Sequence, residues 1–182
     1  MSARIAWDVA SEDVTDPAEI ASLIVETLNM VNPHGTRGIT MWLGPIGAER
    51  DDMTLRLDLD PEPGGVPVAS MEEIETLPEV TAETIGAAAV CWLPEGLIAV
   101  DPDIPGADIT VMVDSSENLV HVAASEARVS IPEAIRLAQE YATTGQRPDL
   151  PAEQENSVGA RWAPQPEMPV QDWSGETSEQ DR

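Results

Sequence analysis

The sequence predicts an α+β domain: a mainly antiparallel sheet of about five to seven strands packed by two helices, with a disordered C-terminal tail. Three observations carry that expectation. Apolar and polar residues alternate in short runs, most clearly over residues 53–60, as an antiparallel sheet with one wet face requires. Two longer stretches repeat apolar residues at helical spacing behind capping sequences. From Asp149 onward Pro, Glu, Gln and Ser dominate, with too few apolar residues to build a core. The 182 residues, 42% of them hydrophobic, suit one domain over 1–148 followed by an acidic, Pro-rich tail over 149–182.

Taken in order, Ile5, Trp7 and Val9 alternate with small or polar neighbours and predict a first strand. Asp16, Pro17 and Glu19 then form a helix start, with a cap, a proline where no amide is missed, and capping-box spacing. Ile20, Leu23, Ile24, Leu28 and Val31 follow on one helical face until Asn32-Pro33-His34-Gly35 stops the pattern. Residues 38–44 predict a second strand. In the next one Met53, Leu55, Leu57 and Leu59 face one way and Thr54, Arg56, Asp58 and Asp60 the other, before Pro61-Glu62-Pro63-Gly64-Gly65 ends it. Residues 66–84 have weak periodicity and read as an acidic connection with one short helix. Segments 87–93 and 97–100 flank a turn, as do 109–113 and 119–123, which together predict a strand meander. Ser130, Pro132 and Glu133 open a second helix that carries Ala134, Ile135, Ala138 and Tyr141 or Ala142 on one face and ends at Gly145. In the tail, Trp162 and Trp173 are candidate anchors or exposed residues.

Charge narrows the function. Asp and Glu number 34 against 9 basic residues, all arginine, for a formal net charge of -25. Phosphate backbones would meet no basic stripe from which to release counterions, so direct nucleic-acid binding is not expected. A field of this sign steers basic protein partners into encounter, and it also serves solubility. The N-terminus shows no apolar signal region and the longest apolar stretch, 85–93, is too short for a bilayer, so a cytoplasmic protein without membrane contact is expected. The single cysteine, Cys91, leaves no intrachain disulfide or Cys cluster and lies in an apolar run that predicts burial.

No catalytic motif is present: there is no serine elbow, Walker-type loop, dinucleotide fingerprint, EF-hand loop or zincin pattern. His34 falls in a turn and His121 in a strand, neither beside a recognisable partner set. Asp101-Pro102-Asp103 offers two oxygen ligands, for which two solvated loop acids are the simpler reading. The reading is of a non-enzyme with no catalytic or metal-binding residues and no cofactor.

The C-terminal half has a Trp-bearing strand, two hairpins, and Val129-Ser130-Ile131-Pro132-Glu133-Ala134 leading into a helix that ends Thr144-Gly145-Gln146-Arg147-Pro148. In this it resembles the Imm1 family of bacterial toxin-immunity proteins, over roughly residues 4–148. In place of an aromatic, glycine-rich central stretch, this chain has Cys91-Trp92-Leu93-Pro94-Glu95-Gly96. The resemblance implies a protein that binds and neutralises a cognate toxin domain, basic in charge and often directed at nucleic acid as a deaminase or nuclease. On that reading the acidic loops and sheet face supply the first candidates for partner binding: Asp58, Asp60, Glu62, Glu72, Glu73 and Glu75. Trp42 and Trp92 join them as aromatic anchors if they point outward, and pack in the core if they point inward. The rival reading is an acidic secretion or assembly chaperone that holds an exported partner.

Overall fold

Strand β1 (Ala3–Trp7) turns through Asp8 and Val9 into β2 (Ala10–Val14), a pairing in which Trp7 sits opposite Ala10. Asp8 takes a positive φ of 47° in that turn, and Val9, predicted to continue the strand, lies exposed at its tip. The computed structural model describes residues 2–155 of the chain. Helix α1 (Pro17–Leu28) starts where predicted: the Asp16 side chain accepts from the Ala18 amide, and Ile20, Ile24 and Leu28 are buried.

Strands β3 (Ile39–Gly44), β4 (Leu55–Asp60), β5 (Ala87–Trp92) and β6 (Leu97–Ala99) extend the sheet, all pairs antiparallel. The acidic connection holds the short helix α2 (Met71–Glu75), closed by a capping box between Ser70 and Glu73. Strands β7 (Ile109–Val111) and β8 (Val120–Val122) pair only with each other as a second sheet, so the predicted meander divides. Helix α3 (Ile131–Thr144) is capped by Ser130 at one end and by left-handed Gly145 at the other.

Residues 149–155, expected to begin the tail, instead close the main sheet. Strand β9 (Glu153–Glu155) pairs with β6, giving the order β2-β1-β3-β4-β5-β6-β9. The segment is anchored before it arrives: Arg136 donates to the Asp149 carbonyl at 3.0 Å, and Arg147 meets Glu95 at 2.7 Å. The rest of the predicted tail, with Trp162 and Trp173, lies outside the described residues.

Strand alternation sorts the core into layers. Ile5, Ile39, Met41, Leu43, Leu55, Leu57, Leu59, Ala88 and Val90 face α1 and α3 and form the main core with them. The opposite face is predicted to be wet and is not. Ala87 and Ala89 pack there against Ile109, Val111, Val122 and Ala127 of the β7–β8 lobe. The lobe is tied down where the Met112 amide donates to the Gly38 carbonyl and the Thr40 amide to the Met112 carbonyl, both at 3.0 Å. A Cβ at Gly38 would collide with the Thr110 carbonyl, so this close approach requires glycine. Among the described residues no helix is long and apolar enough to cross a membrane.

Candidate functional site

Beneath the β7–β8 lobe, the register of β3 and β4 sets Thr40 opposite Asp58 and Trp42 opposite Arg56. Thr40 donates its hydroxyl hydrogen to Asp58, and Arg56 donates to the same carboxylate through Nε and Nη2, the latter at 2.9 Å. Arg56 also lies 5.5 Å from the Trp42 ring centroid, with Arg50 at 4.4 Å. Asp58 is 3% exposed and Trp42 6% exposed. Two of the predicted contact residues are therefore interior: Asp58 is consumed by a buried ion pair and Trp42 by stacking against arginine. The predicted alternation holds over Leu55–Asp60 and fails before it, where Met53 packs with Ala6 and Trp42 and the Thr54 hydroxyl donates to Tyr141 of α3. The predicted exposure fails because a polar face whose members satisfy one another can be covered.

Asp60 is also buried. It accepts from the Glu62 and Thr110 amides at 2.9 Å and 3.3 Å, and burial is the main cause that holds its carboxyl above the usual aspartate range. Glu62 is half-buried and pairs with Arg37 at 2.9 Å. Trp92 is half-buried against the main core, its ring centroid 6.1 Å from that of Tyr141. Neither tryptophan projects as a free anchor.

Glu72, Glu73 and Glu75 are exposed on α2. Glu73 serves the helix start locally, since it accepts from the Ala69 and Ser70 amides, which hold its pKa below the usual range. Glu72 and Glu75 enter no ion pair with the described residues and remain open to a partner. Their segment is held to the body at several points: the Val68 amide donates to Gly35, Arg37 donates to the Pro78 carbonyl, and Asn29 exchanges two hydrogen bonds with Val80. It also exposes Val66 (87%), Met71 (71%) and Ile85 (66%), which no sequence pattern singles out. Single exposed apolar residues are ordinary; Met71 adjoins the unpaired Glu72 in sequence, so α2 presents an apolar and an acidic side chain together.

The remaining candidates are dispersed. His34 is half-buried in its turn, and His121 is exposed, 3.8 Å from Asp108. Cys91 is buried in β5. Asp101 accepts from the Asp103 amide in a local turn, and no group of three or more His, Cys, Asp or Glu side chains is placed to hold a metal among the described residues.

Arginine placement sets the sign of the outer surface. Each of the seven arginines among the described residues is engaged within the fold: Arg4 by Asp13, Arg37 by Glu62, Arg50 by Trp42, Arg56 by Asp58, Arg128 by the Ile104 carbonyl, Arg136 by Glu133 and Glu140, and Arg147 by Glu95 and Glu153. No lysine or arginine occurs between Arg56 and Arg128. No family model matches the chain, and no curated protein matches it.

Proposed function

We propose that this chain is an immunity-type protein that binds a basic toxin domain and holds it inactive. The observation that carries the reading is the engagement of every described arginine within the fold, while Glu72 and Glu75 stand unpaired on α2 with exposed Met71. Long-range attraction brings a basic partner in, and the apolar residues supply the short-range contact that charge alone lacks. The resemblance of residues 4–148 to immunity proteins gives the partner its identity as a toxin. Neutralisation by binding requires no catalytic group.

Co-expression with the toxin-like C-terminal domain encoded by a neighbouring gene tests the reading. The expected result is survival of the host and a stoichiometric complex on purification. Absence of rescue, together with capture of several related exported proteins, would replace it with the chaperone reading.

A further inference from the structure

Among the described residues strand β2 is an edge of the main sheet, with β1 as its one neighbour, and its first four residues are exposed. Because a two-residue turn joins the strands, Trp7 and Ala10 form the first hydrogen-bonded pair, and the pattern alternates from there. Ser11 and Asp13 therefore direct their amide and carbonyl groups away from the sheet. These groups are a template for one more strand.

Beside this edge, on the sheet face that carries the helices, runs a groove of about 200 Å³ lined by Glu12, Val14, Glu19, Ser22, Leu23 and Glu26. Val14 is buried and Leu23 half-buried, giving an apolar floor. The three glutamates are exposed and enter no ion pair or side-chain hydrogen bond with the described residues. Helix α1 contains no basic residue.

We propose that β2 and this groove receive an extended, arginine- or lysine-bearing segment of the partner, which adds to the sheet as a strand. The inference rests on the reading of the chain as a binder of a basic protein and adds a second contact face to the one on α2. In an added strand, side chains on the groove side recur about every 7 Å, and Glu19 and Glu26 stand about 10 Å apart along α1, so alternate basic residues reach both. Backbone pairing supplies affinity, and the glutamates select the charge. A second copy of this chain is a poor occupant, since it would bring the same carboxylates against each other.

The test uses the full chain and a short blocked peptide in which arginine alternates with valine, beside a twin N-methylated at alternate residues. The peptide is expected to bind and to slow amide exchange at Ser11 and Asp13. Binding is expected to weaken about tenfold for the twin and for the E12Q/E19Q/E26Q variant, whose exposed substitutions shift the unfolding midpoint only slightly, through the loss of the first-turn charge of Glu19. Equal binding by the twin, unchanged binding by the variant, or sedimentation showing self-association through β2 would each overturn the proposal. Co-expression with the toxin-like domain separates the two readings. Rescue by the wild type and not by the variant supports both; rescue by both overturns the groove alone. No rescue by the wild type overturns the immunity reading and leaves the peptide result to decide the groove.

Discussion

Asp58 and Asp60 lie two residues apart on one strand face and have opposite electrostatic situations. Asp58 is matched by Arg56 inside a covered face. Removing one member of a buried pair leaves the other without compensation, so Asp58→Ala is expected to cost about 3 kcal/mol or more, measured as a fall in the urea midpoint. Asp60 has backbone donors and a raised pKa caused chiefly by burial. Its unfolded form ionises first as pH rises. Its contribution to stability is therefore full below the ordinary aspartate range, declines as pH climbs to the raised value, and is level beyond it. Asp60→Asn is expected to flatten that decline in unfolding curves recorded across the acidic range, and an unchanged slope would refute the assignment. Exposed Glu72 and Glu75 carry no such structural load, so their exchange for glutamine is expected to leave stability within about 0.5 kcal/mol and to act on partner association.

Elements differ in how far their own residues specify them. Helix α3 contains its own start and stop: the Ser130 hydroxyl accepts from the Glu133 amide, and Gly145 ends the helix at a φ of 67°. Ser130→Ala is expected to lower the thermal midpoint by an amount equivalent to about 1 kcal/mol. Strand β2 has no such signal, since Ala10, Ser11, Glu12 and Asp13 show no apolar alternation and its turn, Asp8-Val9, lacks glycine. It forms because β1 offers a partner and Arg4 meets Asp13 across the pair at 2.7 Å. The β7–β8 lobe depends on the close approach at Gly38. Gly38→Ala is expected to lift the lobe and expose Trp42, detected as a red shift in tryptophan emission with a loss of stability.

For the molecule as a whole, an acidic exterior whose described arginines are each engaged within the fold predicts an association rate with a basic partner that falls steeply with added salt, while dissociation changes little. Stopped-flow measurements over a range of ionic strength check this, and a salt-independent association rate would leave the charge to solubility alone. At the far edge of the sheet from β2, truncation after Pro148 removes β9 and bares the edge of β6. A loss of about 1 kcal/mol or more is expected from the missing ladder.

By itself the sequence determined the α+β class, both long helices with their caps, the core face of β4 and the short helix in the acidic connection, because propensity, capping and period-two alternation act between near neighbours in the chain. It also determined the net charge and hence the sign of any long-range field. Tertiary structure alone decided which polar residues face water. Asp58 is covered on the sheet face across which the β7–β8 lobe folds, Trp42 is covered by Ala6, Met53 and Arg50 with Val113 packed against them, and Glu153–Glu155 becomes a strand because β6 presents an unfilled edge. Tertiary structure likewise brought Glu12 from β2 beside Glu19 and Glu26 of α1 to make a groove. Such outcomes depend on contacts between segments remote in sequence, and no local pattern of polarity distinguishes a polar face that meets water from one whose charges meet each other.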